Sequence, residues 1–171
     1  LKGIDDAATS PAGSALMRAG SRGNTVTAIL EFVAVLSGTL FTGAALYITV
    51  AEHPARMACG TQLAATVFGP SYKRAAPMQV SLALIATVAA LLSWWMDGRT
   101  GWLAGAMLMF AVMPFTRIVI MPTNQRLLNV GLDRSSEATR RLLQTWGRLH
   151  AVRSLLSLAA ACLFLSAAVR S

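Results

Sequence analysis

The sequence predicts an all-α membrane protein, an up-down bundle of four transmembrane helices with an extended, amphipathic start to the fourth. Three observations carry this expectation. Of 171 residues, 55% are hydrophobic and only 13% charged, about half the charged share of a soluble domain. The mean hydropathy is +0.57. The apolar residues also collect into four long runs separated by short polar stretches.

A bilayer core is roughly 30 Å thick and a helix rises about 1.5 Å per residue, so a span takes about 20 apolar residues. The runs Thr25 to Ala51, Pro77 to Met96, Gly101 to Met121 and Ala151 to Val169 meet that length, with Glu31 and Arg117 among the few charges inside them. Unpaired backbone groups are not tolerated in lipid, so each run is expected to be a helix. The second and third are joined only by Asp97-Gly98-Arg99-Thr100, a connection short enough to force an antiparallel hairpin. Residues 1–24, rich in Ala, Gly, Ser and Asp and without a signal-peptide pattern, read as a flexible N-terminal tail. Residues 25–171 then form a single four-helix transmembrane domain.

The fourth helix is expected to start near Ser135 or Ser136, a suitable N-cap, and to run unbroken into its span. Such a helix of about 34 residues is roughly 50 Å long, more than the membrane needs. Residues three and four apart share a face, so Leu142, Trp146, Leu149, His150 and Arg153 form one stripe, with Arg141, Gln144, Thr145 and Arg148 on the other side. Pro54 and Pro122 bias the residues before them away from helical dihedrals, which makes His53 and Met121 expected helix ends.

Up-down topology brings four chain segments to one membrane face: Glu52-His53-Pro54-Ala55-Arg56, Pro70-Ser71-Tyr72-Lys73-Arg74, Met121-Pro122-Thr123-Asn124, and Trp146 through Arg153. The other face receives the tail, the short turn and the C-terminus. Taken singly, His53 or His150 suits an interfacial residue with its polar tip in the headgroup layer. Together with Glu52, Asn124 and Arg153 they point to a functional site, because ionisable groups are costly near the bilayer. Tyr72, Lys73, Arg56 and Trp146 complete the candidate set, Trp146 as pocket wall or as membrane anchor. Arg140, Arg141 and Arg148 read as phospholipid contacts, and Trp94, Trp95 and Trp102 as belt aromatics. Gly101-x-x-x-Gly105 has the spacing of a helix-packing motif. Met107, Met109 and Met113 read as core rather than copper ligands.

The formal charge of +8 comes from residues flanking oily segments, the pattern of membrane edges and not of nucleic-acid binding. Arg56, Lys73, Arg74, Arg126, Arg134, Arg140, Arg141, Arg148 and Arg153 lie at the loaded face, against Lys2, Arg18, Arg22, Arg99 and Arg170 at the other. The positive-inside bias therefore makes the loaded face cytoplasmic, with a bacterial inner membrane as the expected host. Cys59 and Cys162 lack disulfide or metal-knuckle spacing and read as unpaired thiols. An open zinc site takes three protein ligands, which Glu52, His53 and His150 could supply. Adjacent residues project about 100° apart on a helix, so Glu52 and His53 reach one ion only where the helix stops. A haem held between His53 and His150 is a further alternative, although no attachment motif is present.

GAALYITVAEHPAR, FGPSYKRAAPMQ, RIVIMPTNQRLL and WGRLHAVRS together resemble the small four-helix membrane family of unknown function that includes the anthrone oxygenases of polyketide pathways. The resemblance spans about residues 30 to 169. It implies an oxygenase that converts an anthrone to an anthraquinone with dioxygen and no added cofactor. On that reading His150 or His53 is the base, Glu52 orients one of them, and Arg153, Lys73, Tyr72 and Asn124 stabilise the oxyanion. The partners expected are the bilayer and an apolar small molecule, with a homo-oligomer or a larger membrane complex left open. The competing class is a non-catalytic membrane subunit that binds a pigment, quinone, haem or metal at the same place.

Overall fold

The computed structural model describes residues 11–170, with side chains from residue 23 onward. Helix α1 runs over Pro11–Tyr47, continues through a π-helical turn at Ile48–Glu52, and ends with His53–Ala58. Helix α2 is Thr61–Asp97. Helix α3 runs over Thr100–Phe115, a second π turn at Thr116–Ile120, and Met121–Leu127. Helix α4 is Glu137–Val169. Of the segment read as a tail, residues 1–10 lie outside the described residues and the remainder is helical.

Neighbours in sequence are neighbours in space, and α1 also packs on α4, so the four helices close into an up-down ring. Each is long and apolar enough to cross a membrane. Phe32, Val88, Ile118 and Leu155 face outward, as a lipid-facing surface requires. Asp97 ends α2, Gly98 takes φ 72° as its left-handed cap and donates to the Trp94 carbonyl at 2.8 Å. That dihedral favours glycine, and the hairpin turn lies where the sequence puts it. Ser136 caps α4 and accepts from the Thr139 N–H at 3.2 Å. Just before it, the Ser135 hydroxyl and N–H both donate to Asp133, which holds that carboxylate below its ordinary pKa.

Two expectations about helix ends are corrected. His53 and Met121 keep right-handed helical dihedrals, and both helices continue past Pro54 and Pro122. The reason is local. A proline lacks an N–H and crowds the carbonyl four residues back, here Val50 or Ile118, and each of those residues sits in a π turn. The wider turn passes the ladder to the fifth residue: the His53 N–H meets the Ile48 carbonyl, and the Met121 N–H meets that of Thr116. Helix α2 likewise starts well before Pro77 and carries Pro70 and Pro77 within it.

The core divides in two along the bundle. At the plain end, Ala34, Ala45, Ala83, Ala86, Ala90 and Ala106 surround Phe41, Met109 and Phe164. The Phe164 ring sits between Gly38 and Gly105, where an added Cβ would lie 3.0 and 2.6 Å from it, so the glycine motif works as a packing device. Trp102 is wholly buried and stacks on Phe164 with centroids 5.8 Å apart. It is therefore core and not a belt aromatic, whereas Trp95 is exposed. Arg99 pairs with Glu31 of α1 and with Asp97, and donates to the Ala167 carbonyl at the end of α4. This pairing accounts for a carboxylate inside the first span. At the loaded end the core is aromatic, built on Phe68, Leu143, Trp146 and Ile120.

Candidate functional site

Between the two core regions the helices part around a cavity of about 650 Å³. Its floor is Phe41, Ala83 and Val112, which also belong to the plain-end core. The exposed residues on its lining, Arg74, Met78, Val80 and Arg117, all belong to α2 and α3, while those from α1 and α4 are buried or half-buried. The mouth therefore lies between α2 and α3.

Of the residues expected to gather, Glu52, Arg56, Tyr72, Asn124, Trp146, His150 and Arg153 all line this cavity. They arrive from all four helices. His53 and Lys73 are not on its lining. Lys73 lines a second, smaller cleft with Arg74 and Arg134, beside the loop between α3 and α4. The His53 ring rests against Trp146, centroids 5.1 Å apart, and interacts with the Leu143 main chain. It fits there because residue 147 is glycine: a Cβ at that position would be 2.5 Å from its Nε2.

Trp146 is the hub of the wall. Its indole N–H donates to Asn124 Oδ1 at 2.8 Å, its ring meets Phe68 edge-on, and it stacks on His150 with centroids 4.8 Å apart. His150 is 2% exposed. Its Nδ1 lies 2.9 Å from the Thr49 hydroxyl, which is also 2.9 Å from the Ala45 carbonyl and 2.8 Å from the Ser154 hydroxyl. The imidazole is thus oriented by the half-buried Thr49 hydroxyl of α1, which the buried Ser154 hydroxyl of α4 holds in turn. Glu52 is not a partner of either histidine; it pairs with Arg56 one turn on. Tyr72 stacks on Phe68, 5.9 Å away, and its hydroxyl is 3.8 Å from Met121 Sδ.

One turn beyond His150 on α4 is Arg153. Its guanidinium lies over the Phe41 ring, 4.9 Å from the centroid, and Nη2 donates to Gln79 Oε1 at 2.6 Å. Its Nε and the amide nitrogen of Gln79 are buried without a hydrogen-bond partner. Among the described residues Arg153 has no carboxylate partner, the four ion pairs lying elsewhere. A half-buried cation without an anion is costly, which marks this corner as built for something the chain does not supply. Gln79 was not in the expected set, although the sequence carries a signal for it: it is the one carboxamide between Pro77 and Met96. Thr49 has no such signal, since small hydroxyl residues recur through the spans.

Among the described residues no three His, Cys, Asp or Glu side chains gather as a metal set would. The three-ligand set Glu52, His53 and His150 does not converge, because Glu52 turns to Arg56 and both imidazoles lean on the same indole.

Fold and site together define a multi-pass, four-helix membrane protein with a largely apolar cavity lined by an oriented imidazole and by a guanidinium that has no carboxylate partner. Compared with models of known protein families, residues 65–163 match the anthrone oxygenase family, and the chain belongs to that family. No curated protein and no solved structure matches it. The matched stretch contains Tyr72, Gln79, Asn124, Trp146, His150 and Arg153, while Phe41, Thr49, Glu52, His53 and Arg56 lie before it.

Proposed function

We propose that the protein is a membrane-embedded oxygenase that takes a planar, anthrone-like ketone into the cavity and oxidises its methylene with dioxygen, using no bound cofactor. The observation that carries this reading is Arg153, a cation with no carboxylate partner one helical turn from a buried, oriented histidine in a largely apolar cavity. Such a pair is suited to a ligand that loses a proton to the base and keeps the resulting charge on an oxygen near the cation.

The chemistry balances without another reductant. The methylene C–H gives its proton to His150 and leaves a delocalised, phenolate-like anion. With the Thr49 proton on the Ala45 carbonyl, Nδ1 of His150 donates to Thr49, and Nε2 is the nitrogen that accepts. The anion passes one electron to dioxygen, the two radicals join in a C–O bond, and the protonated peroxide loses water as the second C–H proton leaves. One anthrone and one dioxygen give one anthraquinone and one water. Arg153 stabilises the oxyanion, Trp146 and Phe68 form the aromatic wall, and Asn124 fixes the indole. The mouth between α2 and α3 suits a substrate delivered from lipid. The positive-inside bias supports the cytoplasmic side of a bacterial inner membrane for this end.

The protein purified in nanodiscs and supplied with anthrone is expected to take up one dioxygen per anthraquinone formed, while His150→Ala folds, binds and does not turn over. No uptake, or a stoichiometric haem or copper in the absorption spectrum and metal analysis, replaces this reading with that of a pigment- or quinone-binding subunit. Full activity in His150→Ala would move the base elsewhere.

A further inference from the structure

We infer that Gln79 and Arg153 form a two-donor subsite that admits the cavity's ligand as an anion, and that Gln79 is the residue that sets this preference. The inference deepens the proposed function by naming the ligand's charge state, and it rests on that reading only in taking the cavity as the ligand's place.

The side-chain geometry leads there. Gln79 is 3% exposed, and its amide has one usable orientation: the oxygen must face the Arg153 Nη2 that donates to it at 2.6 Å, since turning the amide would set donor against donor. The amide nitrogen is then fixed with its hydrogens unmet, and so is the nearby Nε of Arg153. The guanidinium cannot turn away to find partners, because Phe41 lies against its face and Gln79 holds its edge. Two preorganised N–H donor groups, both on buried nitrogens, remain with no acceptor, the arrangement that stabilises an oxygen carrying charge.

The charge around the cavity points the same way. Arg56, Arg74, Arg117 and Arg153 line it, against a single carboxylate, Glu52, which is already taken by Arg56. The charged residues on the lining therefore leave the cavity with a positive balance. A neutral aromatic with no acceptor oxygen would leave both donors unmet and a neutral ketone would leave the charge unbalanced, whereas a planar aromatic bearing an ionised phenol, enol or carboxylate oxygen supplies both an acceptor and the charge.

The test is equilibrium binding of two fluorescent isosteres, anthracene-2-carboxylate and anthracene-2-carboxamide, to the full chain in nanodiscs under argon, so that no turnover is involved. The wild type is expected to bind the carboxylate about tenfold more tightly than the carboxamide. Gln79→Glu gives Arg153 a carboxylate of its own and is expected to abolish that preference. Gln79→Leu removes one donor and leaves a reduced preference of a few-fold. Thermal melting checks that each variant is folded, and if Gln79→Glu is not, the graded loss in Gln79→Leu decides the matter. Equal affinity of the wild type for the two probes overturns the inference, as does a folded Gln79→Glu that keeps the preference. A protein that shows the preference but never oxidises anthrone retains the subsite and loses the oxygenase reading.

Discussion

The plain half of the bundle and the loaded half are made by the same four helices and packed by opposite means. Around Phe164 the helices meet through alanine and glycine, and one ring fills the space between two of them. Around Trp146 they are held apart by rings, Phe68 edge-on and His150 stacked, and polar groups appear in the gap. In lipid, close backbone approach through small residues is what holds helices together. The closed half can therefore anchor the bundle while the open half departs from tight packing, and every oriented polar group of the site falls in the part that departs.

Substitutions in the two halves should fail differently. The largest effect is expected from Gly105→Leu: even a Cβ there would lie 2.6 Å from a fully buried ring with Gly38 behind it, so the bundle should not assemble, read as aggregation on size-exclusion chromatography. Phe164→Ala tests the same place by removal and should cost about 3–5 kcal/mol of stability in denaturant titration. His150→Ala should do the reverse, lowering turnover by at least about a hundredfold with little change in melting temperature. Gly147→Ala lies between them. Its methyl must push His53 off Trp146, costing about 1–3 kcal/mol, and His53→Ala in the same chain should recover part of that loss as a non-additive pair. Arg148→Ala, at an exposed position on the outer side of α4, should change stability by less than about 0.5 kcal/mol and leave turnover intact. A large loss there would mean that the stripe on α4 faces the other way.

Much of this division is legible in the sequence. Apolar run length gives the four spans, the Asp97–Thr100 connection gives the hairpin, and from these the up-down order brings Glu52, Tyr72, Asn124 and His150 to one end without any tertiary information. What is not legible depends on angles of a fraction of a turn. Glu52 and His53 are adjacent, and only the real helix phase decides that the first lines the cavity and the second lies behind Trp146. Tryptophan is equally at home at an interface or in a core, so Trp102 is placed by Phe164 beside it and not by its own composition. The helix ends run beyond the apolar windows because hydropathy records where lipid stops, not where hydrogen bonding stops. Pro54 and Pro122 mislead for a related reason: the bias they exert assumes an α ladder, and here the ladder is π.

That last feature has a meaning in terms of phase. A π turn amounts to one residue inserted into an α-helix, so all that follows is rotated by about 100°. Val112 and Asn124 both line the cavity; on an unbroken α-helix they would point about 120° apart, and with the extra residue about 20°. Asn124 reaches the Trp146 indole because of a count, not because of its neighbours. Deleting Ile118 or Val119 would turn Asn124 toward another face and free the indole, and so would dismantle the wall of the site without altering a single side chain that forms it.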